Sequence, residues 1–548
     1  MAKSKAHKVI AAFNEGKGEL DTQNSLTRTC GRYFRPEYTD LDQSPFDGGE
    51  ITLPNTSAGI DAHQKMVNGM FSNTVTMGKG TIESANAMLR DVEAVKMYYG
   101  SVGDKVNDII GHAFAQPYHE SLDDWCLGSV GVLYVDFDED SNEHEIICYN
   151  PAECVWYNDR KGNPFKMYRR FEYTPDQAVD HFGYDMVSRD IQKAYDSDEN
   201  TKFCFIHAMY PRKKRNARRR DDLNMPYEVI YVEEKAKKKV METGTQRFRY
   251  VVYVQNKRRG LRTGYSSAMH SLPSMRTAIK AIDDWFDAAE FRARPAMLMA
   301  DEDSVDNAQD LGPGDVRQCS DPNEIFLYGG QMDPAGAKEV YDAQIEEVKT
   351  LHYLDLFQAL EMFKTGQMTA YEVSKIIAEK LLLIFPIVNS IKGMFSDVMV
   401  IIAQDIIQYG LIEQTPPPEL LKAENGMIGM SDEFRVRYTS RVDAQLSGVE
   451  TDNILLAVQE MAQAETILTQ TTDTQAIVKI ENVLRDIAER RNVQVSAIRN
   501  SQEFKGEKAR IANERMAMMK AQADAEAAGK RDVNQAPQEG SEAQQANA

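Results

Sequence analysis

The sequence lacks paired cysteines and long apolar runs. Its six cysteines are scattered over 548 residues without a CxxC pair, which predicts reduced thiols and a reducing compartment. The most apolar stretch, residues 381–402, is interrupted by Pro386, Lys392 and Asp397, so it falls short of the ~20 continuous apolar residues that a membrane helix needs. The basic first residues are followed by no apolar run, so we expect neither a signal peptide nor insertion into a membrane.

Common catalytic and nucleotide-binding motifs are also missing. The sequence contains no GxxxxGK[ST], and Gly78, Lys79 and Gly80 are not preceded by the earlier glycine that a phosphate-cradling loop requires. Neither GxSxG nor HExxH occurs. We therefore expect no enzymatic activity, no bound cofactor and no nucleotide motor within this chain.

The residues that could bind a metal ion do not have the spacing of known metal-binding motifs. Asp136–Asp140 resembles the start of a calcium loop, but Ser141 stands where the loop needs glycine and Ile147 where it needs a bidentate glutamate. A hairpin turn is the favoured interpretation. His112 and His119 lie seven residues apart on a predicted helix, so they could share a face, but no metal-binding pattern surrounds them. A metal-dependent nuclease that uses Asp136–Asp140 remains an alternative function.

Acidic residues outnumber basic residues in this chain. Lys and Arg total 64 against 84 Asp and Glu, which gives a formal charge of −20. Phosphate binding depends on Lys and Arg, so any contact with nucleic acid must be local or weak. Hydrophobic residues make up 42% and charged residues 27%, which is typical of globular protein, and the length allows roughly three to five structural units.

The periodicity predicts a mixed α+β, mainly helical fold. Residues three or four apart predict helices within 7–37, 55–72 and 89–125. Alternation then predicts strands at 131–137, 145–149, 155–157 and 166–171, which we interpret as one antiparallel meander. A helix near 175–196 and strands at 203–209, 227–233 and 247–255 follow, with strongly basic loops between those strands.

From residue 271 the pattern indicates a helical hairpin around a small module. Ser271 can cap a helix over 272–292, with Pro273 in its first turn, and a return helix begins at Pro334. The residues expected to pack the two helices together are Ile279, Ile282, Trp285, Ile345 and Val348. One hairpin does not offer enough surface to cover all of its large apolar side chains, which are Trp285, Phe286, Tyr341 and Leu354. This favours an oligomer.

A helix break and a new helix follow the hairpin. The break consists of Phe363, Lys364, Thr365, Gly366, Gln367 and Met368. Thr369 and Glu372 form a capping-box pattern, so a long helix should begin at Thr369. Beyond it we expect a strand at 433–439 and helices over 449–529. The last residues, 531–548, lack apolar anchors and are expected to be disordered.

One charge run stands out in this acidic chain. It consists of Arg212, Lys213, Lys214, Arg215, Arg218, Arg219 and Arg220 and falls between two predicted strands. Such segregation is typical of a surface that contacts DNA phosphates or an acidic protein, although a solvated loop tip explains it equally well. Because no aromatic residues are interleaved, a nucleic-acid contact here would be independent of base sequence.

These features together resemble a known family. The segment from Gly260 to Gly264, the hairpin with its small module, and the run from Phe363 to Val373 resemble the portal, or head-to-tail connector, of short-tailed double-stranded-DNA phages. The resemblance implies subunits built from a wing (1–267), stem helices (268–292 and 334–357), a clip (293–333), a tunnel loop, long helix and wing return (358–440), and a helical crown (441–530). In that arrangement Lys364 faces the channel.

The resemblance also implies where the protein acts and with what. It implies a ring of about twelve copies at the portal vertex of the virion, made in the host bacterial cytoplasm. The clip would meet the terminase motor during packaging and tail adaptor or nozzle proteins afterwards. Capsid and scaffolding proteins would surround the ring, and double-stranded DNA would pass through it. A monomeric scaffold or adaptor is the second alternative to this structural role.

Overall fold

The computed structural model describes most of the chain up to residue 439 and little beyond it. The described residues are 4–35, 57–74, 79–90, 92–138, 141–216, 219, 221–257, 261–293, 296–298, 326–328, 334–354, 370–424, 427–430, 434–439, 510, 516–518 and 520. The chain divides into two compact units, Met1–Leu446 and Ser447–Ala548. The predicted crown therefore lies almost entirely outside the described residues, and the predicted disordered tail lies wholly outside them.

Helices form the larger part of the described structure. They are α1 (Lys5–Phe34), α2 (Ser57–Thr74), α3 (Ala87–Arg90), α4 (Glu93–Ala113), α5 (Ala115–Gly128), α6 (Pro175–Phe182), α7 (Arg189–Asp196), α8 (Ser267–Ala293), α9 (Pro334–Leu351) and α10 (Ala370–Tyr409). The predicted mixed, mainly helical class is confirmed. Among the described residues, no helix is both long enough and apolar enough to cross a bilayer.

Strands occupy most of the sequence between α5 and α8. They are β1 (Lys79–Ser84), β2 (Val130–Asp138), β3 (Glu143–Cys148), β4 (Cys154–Asn158), β5 (Pro164–Tyr173), β6 (Phe203–Pro211), β7 (Tyr227–Glu233), β8 (Lys238–Thr245), β9 (Tyr250–Val254), β10 (Ala296–Leu298), β11 (Phe326–Tyr328), β12 (Leu421–Glu424), β13 (Met427–Met430) and β14 (Phe434–Thr439). The strand predicted at 433–439 is confirmed as β14.

Two predicted helices are each divided in two. The helix predicted over 89–125 is interrupted at Phe114, between α4 and α5. Pro117 explains the break, because it has no N–H to donate to the carbonyl of Ala113 and its ring would crowd that carbonyl. The helix predicted near 175–196 is likewise two short helices, and the first ends at Gly183, whose φ of 89° lies in the left-handed region.

The predicted meander is wrong as a single sheet. β2 and β3 form the expected hairpin, but their sheet has the order β3-β2-β9, whereas β4 and β5 belong to a five-stranded sheet of order β4-β5-β6-β7-β8. The chain changes sheet in a short turn over Pro151–Glu153. There the side chain of Asn150 accepts a hydrogen bond from the backbone N–H of Ala152 at 2.9 Å, which caps the turn and redirects the chain.

Two strands carry too much polar sequence to be predicted. β8 places Lys238 and Lys239 in a strand, where we expected a basic loop, and Val240 behind them is fully buried. β1 begins at Lys79 and pairs antiparallel with β14. In both strands alternation is short and interrupted by Gly or Lys, so pairing with a neighbour decides the conformation.

The first hairpin helix begins earlier than predicted. α8 starts at Ser267, so Pro273 lies inside it instead of in its first turn. Ser266 is the cap, because its Oγ accepts a hydrogen bond from the N–H of Met269 at 3.0 Å. Ser271, the predicted cap, instead donates to the carbonyl of Ser267 from within the helix, at 2.9 Å.

The three-stranded sheet separates two hydrophobic cores. Along β2, Leu133 and Val135 enter the larger core, which the helices α1, α2, α4, α5, α8, α9 and α10 line. Val132 and Tyr134, on the opposite face, enter the core between the two sheets. This period of two follows from the strand geometry. The sheet thus joins the helical body, including the hairpin, to the five-stranded sheet.

Candidate functional site

The helical hairpin of α8 and α9 is the element that departs most from an ordinary globular core. Four of the predicted packing residues, Ile279, Ile282, Ile345 and Val348, lie in the interior with exposures of 8% or less. They recur at helical spacing, so each helix presents one apolar face to the larger core. The hairpin is therefore rooted in the body of the protein.

Farther along the hairpin, apolar side chains face outward. The rings of Trp285 and Phe286 contact each other edge to face with centroids 4.9 Å apart. Phe286 is 53% exposed and Val340, near the start of α9, is 46% exposed. By contrast, Leu354 is buried within the chain, so the expectation that it needs an outside partner is wrong. Tyr341, like Trp285, is half-buried. The outward apolar surface is thus concentrated toward the small module.

The small module between the helices is closed by a short antiparallel pair. β10 and β11 align Ala296 with Tyr328 and Leu298 with Phe326, so the chain leaves and re-enters the hairpin at adjacent positions. The rest of the module, 299–325, lies outside the described residues.

A buried polar cluster joins the other end of the hairpin to the body. His63 Nε2 lies 2.6 Å from Asp123 Oδ1, and Arg35 Nη1 lies 2.8 Å from Asp123 Oδ2 and 3.3 Å from Asp124 Oδ1. Although burial opposes it, His63 and Arg35 hold the pKa of Asp123 below its usual value. Burial raises the pKa of Asp124 to about 7. Sequence reasoning missed this cluster, because Arg35, His63 and the adjacent pair of aspartates lie at least 28 residues from one another along the chain.

His352, just after α9, extends this cluster. Its ring stands nearly perpendicular to that of His63, at a centroid distance of 6.5 Å, and its Nδ1 donates to the carbonyl of Val348 at 2.9 Å. Burial lowers the pKa of His352 to about 4. Among the described residues, His63 Nδ1 and His352 Nε2 have no hydrogen-bond partner. The junction between hairpin and body therefore holds His352 in its neutral form.

A second buried ion pair fixes α10 against the sheet. Arg249 Nη1 lies 3.0 Å from Asp405 Oδ2 and also donates to the carbonyl of Val135 at 3.3 Å. His144 Nε2 is 3.4 Å from the same carboxylate. Sequence reasoning missed this pair, although a lone aspartate in the apolar run 398–407 is a signal for a buried partner.

The predicted channel residues are not described. Phe363, Lys364, Thr365, Gly366, Gln367, Met368 and Thr369 lie outside the described residues. Glu372 falls within α10, but its side chain is not described. The long helix begins at Ala370, one residue from the predicted start. The channel assignment therefore stays a prediction.

The basic loop, residues 212–220, is partly described. Lys213, Lys214, Arg215 and Arg219 are exposed, whereas Arg218 and Arg220 lie outside the described residues. Arg212 differs from the others, because its side chain is 7% exposed and lies within the protein. The loop leaves the end of the five-stranded sheet between β6 and β7.

The residues considered for metal chemistry are dispersed. Asp136 Oδ1 accepts from the N–H of Phe137, and Asp138 Oδ2 accepts from Ser141 Oγ at 2.9 Å, as in a hairpin turn. His112 ends α4 and His119 lies on α5, so the expectation that they share a helix face is wrong. Among the described residues, no three His, Cys, Asp or Glu side chains are grouped to hold a metal ion.

The described residues form an α/β body that carries a two-helix hairpin, and the β10–β11 pair lies between the two helices along the chain. The family model for the bacteriophage head to tail connecting protein matches residues 6–488, so the chain belongs to that family. The predicted family is thereby confirmed.

One curated relative adds to this match. The chain is 27% identical over 312 residues to the probable portal protein of Bordetella phage BPP-1, and the matched region covers 54% of each chain. The match thus covers about half the length of this relative.

Proposed function

We propose that this chain is a portal protein that forms a ring of about twelve copies at one capsid vertex, the channel for genome packaging and ejection. The observation that carries the proposal is the family match over residues 6–488. In this proposal residues 1–267 form the wing, α8 and α9 the stem, 293–333 the clip and 441–530 the crown. The terminase motor docks on the ring during filling, and tail adaptors replace it.

The outward apolar surface of the stem supports self-association. A half-buried Trp285 and an exposed Phe286 are costly to leave in water, since a large buried aromatic side chain contributes on the order of 2 kcal/mol. In a ring each subunit offers the same two flanks to its neighbours. A neighbouring stem is therefore the proposed cover for these side chains.

The acidity of the chain supports a conduit. About twelve chains of formal charge −20 carry roughly 240 negative charges, which repel the phosphates of DNA. A DNA duplex slides through a channel more easily when its contacts with the channel wall are weak. In the proposed arrangement Lys364 is a local positive point in the channel, and the energy for movement comes from the separate terminase.

The proposal is tested by packaging in a phage that lacks its own copy of this gene and is complemented in trans. The full chain should restore DNA-filled heads. Deletion of residues 300–328 should permit ring formation but block motor docking, and Lys364→Glu should change DNA translocation or retention without preventing assembly. Filled heads from the deletion would contradict the clip assignment, and filled heads without any complementing chain would contradict the function itself.

A further inference from the structure

The described part of the basic loop presents four exposed cations. Lys213, Lys214, Arg215 and Arg219 are exposed, and among the described residues none of them has a carboxylate within ion-pair distance. In a chain of charge −20, four such side chains within seven residues form a concentrated positive surface. Its position at one end of the five-stranded sheet is separate from the hairpin.

Arg212 anchors the loop from beneath. Its guanidinium donates to the carbonyls of Met225 at 3.2 Å, Asp222 at 3.3 Å and Thr243 at 3.2 Å. It also lies 3.6 Å from the carboxylate of Glu242. These contacts tie the entrance of the loop to its exit and to β8, so Arg212 positions the loop and is not available to an outside partner.

Further hydrogen bonds connect the described residues on either side of the loop. Asn224 accepts from the N–H of Asn216 at 2.9 Å through its Oδ1 and donates to Asp221 Oδ1 at 2.6 Å. A Cβ at Gly244 would overlap the carbonyl of Asp222, so glycine is required for the loop to lie against β8. The segments that flank the cations are therefore held in place before a partner binds, which lowers the entropic cost of binding.

The carboxylates below the loop are already neutralised. Lys5 is hydrogen-bonded to both Glu228 and Glu242, and Lys239 bonds Glu242 at 2.6 Å. Although burial opposes it, the hydrogen bonds from Lys239 and Lys5 lower the pKa of Glu242 to about 2. Two further carboxylates, Asp221 and Asp222, lie at the exit of the loop and accept hydrogen bonds from Asn224 and Thr243. Beside these two carboxylates, the four exposed cations of the loop are in excess.

We propose that Lys213, Lys214, Arg215 and Arg219 bind the phosphate backbone of double-stranded DNA independently of sequence, at a surface apart from the channel. Protein interfaces generally have an apolar centre, but Leu223 is the one large apolar side chain described as exposed in this loop region. Phosphate recognition needs no such centre and is made by Lys and Arg. An acidic protein partner is therefore disfavoured.

The test compares duplex binding by the full chain and two variants. One carries Lys213→Gln, Lys214→Gln, Arg215→Gln and Arg219→Gln. The matched control carries Lys193→Gln, Lys202→Gln, Lys235→Gln and Lys237→Gln, which are exposed positions in α7 and at the opposite end of the sheet. Both sets change the formal charge from −20 to −24. Binding of a short fluorescent duplex of mixed sequence is measured by anisotropy over a series of salt concentrations.

The loop variant should bind at least about tenfold more weakly, with a log–log salt slope shallower by about 3 to 4, because four phosphate contacts are lost. The control should retain the affinity and slope of the full chain. Equal binding by the loop variant, equal losses in both variants, or no duplex binding by the full chain would overturn the proposal. So would loop-dependent binding of polyglutamate without binding of the duplex.

The same samples keep this inference separate from the proposed function. Ring formation is scored by light scattering on the full chain and both variants. A loop-dependent duplex contact in a chain that forms no ring, either alone or co-expressed with the scaffolding and capsid proteins of its phage, would support the inference and count against the portal. Rings that show no loop-dependent binding of the duplex would support the portal function and overturn the inference.

Discussion

Buried histidines make the stability of this protein sensitive to acid. His207 is stacked on Tyr231 and hydrogen-bonded to the hydroxyl of Tyr250 at 2.6 Å. Burial lowers the pKa of His207 to about 3 and that of His352 to about 4. Between these values and an unfolded pKa of about 6.5, the unfolded state binds more protons than the folded state. Folding stability should therefore fall as the pH drops from about 6.5 toward 4.

His352→Leu tests this linkage at a single residue. From pH 7.5 to pH 5.5 each such histidine should lower the free energy of unfolding by about 1 kcal/mol, so the variant should lose about that much of the pH dependence. Urea unfolding at both pH values measures the difference. His112→Gln is the control, since its side chain is 86% exposed. An unchanged pH dependence in His352→Leu would show that His352 is not held neutral.

At the scale of elements, a buried ion pair contributes to the contact between α10 and the sheet. Arg249→Met would leave the carboxylate of Asp405 buried beside His144, without its cation. Removal of one partner from a buried pair costs about 3–5 kcal/mol, and we expect a loss of that size in urea unfolding. Adding Asp405→Leu to Arg249→Met should recover most of the loss. A double variant as unstable as the single one would mean that packing, not charge, is lost.

The outward face of α8 carries a second prediction at this scale. Phe286→Asp should weaken association between copies at least about tenfold while the protomer keeps its far-UV circular dichroism, because the side chain is 53% exposed and packs little within the chain. Sedimentation velocity over a dilution series measures the effect. The neighbouring exposed Asp287, changed to Ser, is the control and should associate as the parent does. Unaltered association of Phe286→Asp would place this face outside any subunit contact.

Elements with a clear period were predictable, and those fixed by distant contacts were not. The α8–α9 hairpin and β14 followed from apolar spacing, but β8 was missed because lysines hide its alternation. The basic loop was visible as a charge run. The internal role of Arg212 was not, because its acceptors belong to residues 10, 13 and 31 positions away. Local sequence carries propensity and pattern, whereas such pairings depend on the assembled fold.

At the scale of the whole molecule, the proposed function depends on the assembly of several chains into a ring. A formal charge of −20 per chain suits a conduit only when several chains surround the duplex, and the outward apolar surface of α8 is covered only when copies meet. The basic loop adds a local exception to the overall repulsion of DNA. In the proposed ring, the acidic charge and the outward apolar surface would each have a role that a monomer does not offer.

The most direct measurement is the mass and shape of the full chain in solution, by light scattering with negative-stain imaging of the same peak. It is made on the chain alone and on the chain co-expressed with the scaffolding and capsid proteins of its phage. The account predicts a ring of about twelve subunits with a central hole in at least one of these preparations. A monomer in both, with no copy incorporated at a vertex of the assembled heads, would contradict it.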